Sequence, residues 1–291
     1  MSAAVVDLGK TRCRVRVAER SAGSGGAPGL STTHGVEAAL SSIHEAVSGL
    51  GGVPVDQISV GAAGAFAAPS AAQELADRLR AAYGASVAVT SDAITAHLGA
   101  LGGAPGVVVV AGTGAVAVAV SPTGEVAVAD GLGPELGDRG SGAWLGTSML
   151  GEASRTPGWE SVVLRRLGPD WRALVGDRSY DNAQRRASLV PDLADLARSG
   201  DAAASELFGA AARELAATVR EAATQVAIPV SEASEVALVG GLSGLGELLL
   251  DPLERALAPM RLREASGSAL DGAALLLERR DLPHEHLVHR A

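Results

Sequence analysis

The chain contains two apolar runs that are each followed by a short Gly/Thr turn and then by residues alternating with a period of two. These segments are residues 5–17 and 109–118. This pattern predicts a hairpin of two strands, not the strand-to-helix turn of a dinucleotide-binding fold. Backbone N–H groups in a Gly-containing turn can approach an anion closely. Two such hairpins therefore predict a duplicated nucleotide-binding fold, with phosphates held in a cleft between two lobes.

The remaining pattern predicts alternating strands and helices in both halves of the chain. In the first half we expect strands at 58–61 and 87–90, helices at 35–50, 70–83 and 91–101, and a loop at 21–30. In the second half we expect strands at 107–110, 116–120, 125–129, 236–239 and 260–264, and helices at 143–153, over most of 157–228, before Leu257 and at 268–279. This order predicts an α/β class with a central mixed sheet flanked by helices in each lobe.

The Gly/Pro-rich segment 102–106 predicts the boundary between the lobes. The first lobe then spans residues 1–104 and the second spans residues 105–291, with the last helix able to pack back on the first lobe.

Composition and charge limit the classes of partner. The chain has 291 residues and a net charge of −9, which argues against a nucleic-acid surface. Aromatic residues make up only 2% of the chain, so the core must be built from Ala, Val and Leu. The start of the chain lacks the basic region of a signal peptide, and the apolar segment 107–120 is too short to span a bilayer. We therefore expect a cytoplasmic location and no membrane partner.

Cysteine and histidine usage gives no metal centre. Cys13 is the single cysteine, which excludes an internal disulfide and a multi-cysteine cluster within one chain. Its position in the second expected strand indicates a buried small apolar residue. His284, His286 and His289 are expected to form a polar tail.

Four positions near the expected turns could carry chemistry. The Asp7 carboxylate, beside the first turn, could hold Mg²⁺ directly or through water, or it could simply bond the backbone of the turn. Asp92 begins a helix and is either an ordinary N-cap or a base that the helix N-terminus keeps ionised. Asp138 lies in the Gly-rich loop 131–142, which is either a wall for a polar ligand or a plain loop. The Thr113 hydroxyl could donate to a phosphate oxygen.

Taken in order, these segments resemble the N-acetylglucosamine kinase-like family, the BadF/BadG/BcrA/BcrD-type ATPases, within the superfamily of actin and many sugar kinases. The matching segments are residues 7–11, 29–34, 90–93, 111–114, 131–142, 239–241 and 270–274. The resemblance implies a duplicated ribonuclease H-like (actin-like ATPase) fold with a ligand cleft between the lobes. It also implies ATP and Mg²⁺ as cofactors, transfer of the γ-phosphoryl group to the 6-hydroxyl of an amino sugar, and a homodimer.

The resemblance also implies a role for each matched position. Asp92 is the expected base on the sugar hydroxyl, and Asp7 is the expected Mg²⁺ residue. The expected phosphate and adenosine contacts are Gly9, Lys10, Thr11, Gly112, Thr113, Gly114, Gly240 and Gly241, and the expected sugar contacts are Thr33, Asp92, Glu135 and Asp138.

Three residues depart from the family pattern, and they affect the sugar contacts more than the catalytic ones. Thr33 stands where the family has Asn, Leu132 where it has Trp, and Arg139 where it has Glu. The chain therefore keeps the expected phosphoryl-transfer residues, and both N-acetylglucosamine and glucosamine stay open as substrates.

Three alternatives to a sugar kinase remain to be weighed. An ATPase that activates a reductase through an iron–sulfur cluster needs more cysteine ligands than Cys13 supplies. An ATP-binding regulator or activator without sugar kinase activity is the main alternative, and the presence of both Asp7 and Asp92 disfavours it. A dinucleotide-dependent oxidoreductase is disfavoured because a strand, not a helix, is expected after residues 112–114.

Overall fold

The structure, a computed structural model, describes residues 2–177, 179 and 182–291. Its strands occupy short segments of two to six residues. They are β1 (Ala3–Leu8), β2 (Arg12–Val17), β3 (Arg20–Gly25), β4 (Gln57–Ala62), β5 (Ser86–Ser91), β6 (Gly106–Ala111), β7 (Ala115–Val120), β8 (Val126–Asp130), β9 (Glu235–Val239), β10 (Arg261–Arg263) and β11 (His289–Arg290).

The helices follow the strands in both halves, as predicted. They are α1 (Gly35–Ser48), α2 (Pro69–Tyr83), α3 (Asp92–Leu101), α4 (Gly142–Glu152), α5 (Trp159–Leu167), α6 (Ala183–Ala187), α7 (Val190–Arg198), α8 (Ala202–Gln225), α9 (Glu247–Leu257) and α10 (Ala269–Glu278). Three short 3₁₀ segments are Pro169–Leu174, Gly241–Leu245 and Glu285–Leu287. The helices predicted within 157–228 are present in its described part, and residues 178, 180 and 181 of that segment lie outside the described residues.

The chain forms two compact units with the same sheet topology. The first contains the residues up to Pro105, Val120–Glu125 and Ala265–Ala291, and the second contains Gly106–Ala119 and Val126–Glu264. The strand order is β3-β2-β1-β4-β5 in the first sheet and β8-β7-β6-β9-β10 in the second, with β11 added beside β5. The matching orders identify the duplicated ribonuclease H-like fold that was predicted.

Both Gly/Thr turns join neighbouring strands, which confirms the predicted hairpins. Residues 9–11 connect β1 to its antiparallel partner β2, and residues 112–114 connect β6 to its neighbour β7. On the other side of β1, strands β4 and β5 run parallel to it and to each other.

Each unit has its own apolar core, dominated by the Ala, Val and Leu residues that composition predicts. The core of the second unit also buries Trp159, Trp171 and Phe208. Cys13 is fully buried in the first core, and burial raises the pKa of its thiol to about 11. Cys13 is therefore the inert apolar residue that was expected. Within the described residues, no helix is both long and apolar enough to cross a membrane.

Part of the loop predicted at 21–30 is a strand. Residues Arg20–Gly25 form β3, which pairs antiparallel with β2 along its whole length. Its Ser, Ala and Gly residues carry no β-branched pattern, so its partner, rather than its own propensity, determines its conformation. The backbones of β3 and β2 approach closely here, because a Cβ atom on Gly23 would lie 2.9 Å from the Cys13 carbonyl oxygen.

The end of the chain is folded and is not the polar tail that was predicted. His284 is fully buried, and its Nε2 lies 3.0 Å from Nδ1 of the buried His97 in α3. β11, rather than the strand at 261–263, is the last strand, and it pairs antiparallel with β5. Two residues are too few to show a period, so the sequence pattern could not indicate this strand. Residues 265–291 consequently belong to the first unit and not to the predicted second lobe at 105–291.

Candidate functional site

The topology of the first sheet brings Asp7 and Asp92 to the same edge. Strands β1, β4 and β5 are parallel, so their carboxyl ends meet at one edge of the sheet. Asp7 on β1 is in register with Gly61 on β4, and Gly61 is in register with Thr90 on β5. Asp92 follows directly after β5 as the first residue of α3.

The residue that caps α3 is Ser91 and not Asp92. The Ser91 hydroxyl accepts a hydrogen bond from the Ala93 N–H at 3.3 Å and donates one to the Asp92 carboxylate at 3.1 Å. The same Asp92 oxygen accepts from the Ala93 N–H at 2.9 Å. The N-cap interpretation of Asp92 is therefore wrong, because the preceding serine occupies that position.

The electrostatic environment raises the pKa of Asp92. Burial is the largest cause, and the negative charge of Asp7 adds to it. The hydrogen bonds from Ala93 and Ser91, and the positive charge of Lys10, oppose this shift without offsetting it. The sequence predicts that the helix N-terminus keeps this carboxylate ionised, whereas burial is the larger effect. A carboxylate with a raised pKa is a better proton acceptor near neutral pH.

Asp7 forms an ion pair across the first hairpin. Arg14 stands opposite Asp7 in the β1–β2 register, and its Nε donates to the Asp7 carboxylate at 3.1 Å. No group of three or more His, Cys, Asp or Glu side chains with metal-binding geometry occurs among the described residues. Mg²⁺ needs only one or two carboxylates when waters and substrate phosphates complete its shell. The oxygen donor of Asp7 fits that requirement, although it has to be shared with Arg14.

The first turn is exposed at Lys10 and Thr11, and backbone hydrogen bonds stabilise it at Gly9. The Gly9 N–H donates to the Arg12 carbonyl at 3.0 Å, and the Gly9 carbonyl accepts from Ala27 N–H at 3.2 Å. Sequence reasoning missed Gly26, where a Cβ atom would lie 2.4 Å from the Gly9 carbonyl oxygen. Only glycine allows the chain to pass so close to the turn.

The loop that contains Thr33 begins beside this turn. A Cβ atom on Gly29 would lie 4.0 Å from Cε of Lys10, and the Leu30 N–H donates to the Ala63 carbonyl at 2.9 Å. Thr33 itself is exposed, just before α1. The first unit therefore brings Gly29 close to Lys10, and it brings Asp92 within electrostatic reach of Asp7 and Lys10.

In the second unit, the start of α4 anchors the turn at 112–114. The Gly142 N–H donates to the Gly112 carbonyl at 2.7 Å, and the Ala143 N–H donates to the Thr113 carbonyl at 3.0 Å. Thr113 remains exposed. This turn is thus fixed by backbone contacts from a helix N-terminus.

Asp138 lies directly against the same turn. Its carboxylate accepts a hydrogen bond from the Ala115 N–H at 3.1 Å, and the residue is only 8% exposed. A Cβ atom on Gly114 would lie 2.8 Å from both Asp138 carboxylate oxygens. Glycine at 114 is what lets the carboxylate approach, so the loop and the turn form one assembly.

Asp130 organises the loop and was missed by sequence reasoning. Its side chain is 1% exposed, and its carboxylate accepts from the N–H groups of Gly131 and Arg139, each at 2.9 Å. Arg139 also pairs with it through Nε at 3.2 Å. The available signal was an aspartate at the end of a strand followed by glycine, a typical turn-forming pair.

Gly240 and Gly241 lie beside the second turn. Gly240 has a φ of +98°, and a Cβ atom there would lie 2.4 Å from the Ala111 carbonyl oxygen, so glycine is required. Gly241 N is 3.8 Å from the position of a Cβ atom on Gly112. The structure therefore places these two glycines beside Ala111 and Gly112.

Two cavities lie in the second unit. One, of about 410 Å³, is lined by Gly112, Thr113 and Gly241 and by apolar residues such as Val190, Leu242 and Leu245. The other, of about 590 Å³, is lined by Glu135, Asp138, Trp144 and Thr147 among others. Both volumes lie in the range of small-molecule sites. The first cavity is also lined by Asp195 and Arg198, and its apolar residues beside a Gly/Thr turn suit a nucleoside.

Comparison with known proteins agrees with this geometry. The sequence pattern of the BadF/BadG/BcrA/BcrD ATPase family matches residues 6–275. A structure described as a candidate N-acetylglucosamine kinase from Chromobacterium violaceum is 28% identical, with 95% of this chain and 98% of that chain covered and a TM-score of 0.69. No match is found among curated protein sequences.

Two further structures share the fold at lower identity. A candidate N-acetylglucosamine kinase from Porphyromonas gingivalis is 16% identical over 96% of this chain and 99% of that chain, with a TM-score of 0.74. A glucokinase of the ROK family from Streptomyces griseus, solved with glucose and AMPPNP, is 22% identical over 95% and 99% of the two chains, with a TM-score of 0.61. Because the family pattern covers nearly the whole sequence, the chain belongs to the BadF/BadG/BcrA/BcrD ATPase family and has the two-unit fold of sugar kinases.

Proposed function

We propose that this protein is an ATP-dependent hexosamine kinase, which transfers the γ-phosphoryl group of ATP to the 6-hydroxyl of N-acetylglucosamine or glucosamine. The observation that carries the proposal is Asp92. It is a half-buried carboxylate at the start of α3, its pKa is raised, and it lies within electrostatic reach of Asp7 and Lys10. A group poised in this way is suited to accept a proton from an alcohol.

In the proposed reaction, Asp92 accepts the proton of the sugar 6-hydroxyl while the hydroxyl oxygen bonds to the γ-phosphorus. The bond between the γ-phosphorus and the bridging oxygen breaks, and ADP leaves with its electron pair. Mg²⁺–ATP supplies the phosphoryl group and part of the charge neutralisation, and Asp7 is the residue we assign to the metal. Positioning and charge neutralisation account for most of the catalysis in phosphoryl transfer.

The second unit supplies the residues that we assign to the nucleotide. The turn at 112–114 would contact phosphates through its N–H groups and the Thr113 hydroxyl, as Gly9, Lys10 and Thr11 would from the first unit. Gly240 and Gly241, with the apolar walls of the 410 Å³ cavity, would hold the adenosine. This assignment is supported by the convergence of Gly112, Thr113 and Gly241 on one cavity.

We assign the sugar contacts to Thr33, Glu135 and Asp138, in addition to Asp92. Asp138 and Glu135 line the same 590 Å³ cavity, and carboxylate oxygens accept hydrogen bonds from hydroxyl groups such as those of a sugar. Thr33 and Glu135 are exposed and available to a ligand. We also propose that the protein is cytoplasmic and that it forms a homodimer. Light scattering of the purified protein would test the homodimer.

A coupled assay of ADP release tests the proposed function. Purified protein with Mg²⁺–ATP is mixed with glucosamine, N-acetylglucosamine, glucose or other hexoses, and the product is located by ³¹P NMR. We expect ADP release that depends on an amino sugar, with phosphate on its 6-oxygen. ADP release that no hexose stimulates would instead support the regulator or activator alternative.

A further inference from the structure

Thr95 lies against two glycines of neighbouring elements. It is fully buried, one turn after Asp92. A Cβ atom on Gly61 of β4 would lie 2.0 Å from Oγ1 of Thr95. A Cβ atom on Gly272 of α10 would lie 1.9 Å from the Thr95 carbonyl oxygen. Both neighbours therefore approach Thr95 as closely as only glycine permits.

The Thr95 side chain connects this contact to Asp92. Its hydroxyl donates a hydrogen bond to the Asp92 carbonyl oxygen at 3.0 Å. Gly61, against which it packs, stands in register between Asp7 on β1 and Thr90 on β5. The first turn of α3 is thereby tied to the strand position that lies level with Asp7.

The C-terminal residues hold the same helix at further points. A Cβ atom on Gly99 would lie 1.9 Å from the Ser268 carbonyl oxygen, and the Ser266 N–H donates to the Ala100 carbonyl at 2.9 Å. The Thr90 hydroxyl, two residues before Asp92, donates to the Leu287 carbonyl at 2.9 Å. The helix that begins at Asp92 is thus fixed along its length.

We propose that Thr95 is a positioning residue for Asp92, because its hydroxyl, packed against Gly61, holds the Asp92 carbonyl and so fixes the first turn of α3 and its carboxylate. The inference rests on the proposed role of Asp92 as the base. A base displaced by about 1 Å loses much of its effect on rate while substrates still bind. Displacement of Asp92 should therefore lower kcat and leave the KM for ATP unchanged, while the KM for the sugar, which Asp92 is also proposed to contact, should rise.

The test compares Thr95→Ser, which keeps the hydroxyl, with Thr95→Ala, which removes it. We expect Thr95→Ala to lower kcat about tenfold per folded molecule, with the KM for ATP within about twofold of wild type. Thr95→Ser should stay within about threefold of wild type. Should Thr95→Ala fail to fold, Thr95→Val fills the site without the donor, and the same fall in kcat is expected.

Two controls separate positioning from a general loss of stability. Thr218→Ala removes a fully buried hydroxyl that donates to the Glu214 carbonyl at 3.2 Å within α8, and its kcat per folded molecule should not change. In an Asp92→Asn background, adding Thr95→Ala should cause no further fall in residual turnover, because both changes act through one group.

Equal kcat for Thr95→Ala and wild type would overturn the inference. So would a full tenfold further loss in the Asp92→Asn background. If Asp92→Asn alone leaves turnover intact, the proposed function itself fails, and this outcome is distinct from the other two.

Discussion

The two Gly/Thr turns occupy equivalent positions in the two sheets, but they are built differently. The first turn has charged neighbours: Asp7 precedes it, Lys10 lies within it, and Arg14 pairs with Asp7 across the hairpin. The second turn contains no charged residue, and N–H groups at the start of α4 donate hydrogen bonds to its carbonyl groups. The charged group beside the second turn is the carboxylate of Asp138, which lies in a separate loop and packs against Gly114.

This difference indicates a division of tasks between two copies of one fold. The edge of the first unit carries two carboxylates in electrostatic contact, which suits metal and proton chemistry. The edge of the second unit presents an uncharged turn beside a cavity with a mostly apolar lining, which suits the binding of a nucleotide. The predictions below test that division.

The largest effect is expected from Asp92→Asn. Turnover should fall by about 10²–10⁴-fold, as loss of a general base does. The thermal midpoint should hold or rise, because the folded state raises the pKa of Asp92 and its ionised form therefore costs stability at neutral pH. In the wild type, kcat should fall as pH decreases through that raised pKa, at a higher pH than an ordinary aspartate with a pKa of 3.8 would give.

The matched control is Asp201→Asn, at the start of α8. Asp201 accepts from the Ala204 N–H at 2.9 Å and from Trp159 Nε1 at 2.9 Å, and these hydrogen bonds lower its pKa. This variant should lose stability and keep its turnover per folded molecule. An Asp92→Asn protein that melts early and turns over normally would reduce Asp92 to a structural residue.

The second effect concerns Asp138 and decides whether it serves the sugar or only the turn. Asp138→Ala should weaken sugar binding by about 2–5 kcal/mol if the site is desolvated. Asp138→Asn keeps an acceptor for the Ala115 N–H, so it should raise the KM for the sugar and leave the KM for ATP unchanged. Wild-type kinetics in Asp138→Asn would assign the carboxylate to the turn alone.

The sequence predicted the parts of this comparison that depend on local pattern. The hairpins, their glycines and the start of α3 follow from period-two alternation and from Ser91–Asp92 after a strand. The Asp7–Arg14 pair, the Asp130 contacts and the packing of Asp138 on Gly114 depend on contacts between segments far apart or across a register. No local sequence pattern encodes those contacts. The burial that raises the pKa of Asp92 also depends on distant segments, so it could not be predicted from the sequence either.

The third effect compares Gly114→Ala with Gly9→Ala, a change from glycine to alanine in each turn. At Gly114 the new Cβ atom would meet the Asp138 carboxylate at 2.8 Å, whereas at Gly9 its nearest contact is the Arg12 carbonyl oxygen at 3.6 Å. Gly114→Ala should therefore raise the KM for ATP about tenfold, because the turn must shift. Gly9→Ala should stay within about twofold, since 3.6 Å is an ordinary contact.

Equal effects of the two alanines on the KM for ATP would contradict the difference in construction between the turns. Gly209→Ala is the control for substitution of a glycine in general. Gly209 lies in α8, and the nearest atom to its Cβ would be Nη1 of Arg213 at 3.6 Å, so the alanine variant should be slightly more stable and fully active.

The smallest effect is expected from Arg14→Ala, which tests whether the first turn is the one that meets the metal. Arg14 is 54% exposed and pairs with Asp7, so its removal leaves the Asp7 carboxylate to Mg²⁺ alone. The Mg²⁺ concentration for half-maximal rate should fall by about twofold to fivefold, the scale of an exposed ion pair. Arg16→Ala removes the same charge from β2 but from a pair with Asp271, so it should leave the Mg²⁺ dependence unchanged. Identical Mg²⁺ dependence of the rate in Arg14→Ala and Arg16→Ala would place the metal away from Asp7. The proposed difference between the two turns would then rest only on nucleotide binding by the second turn.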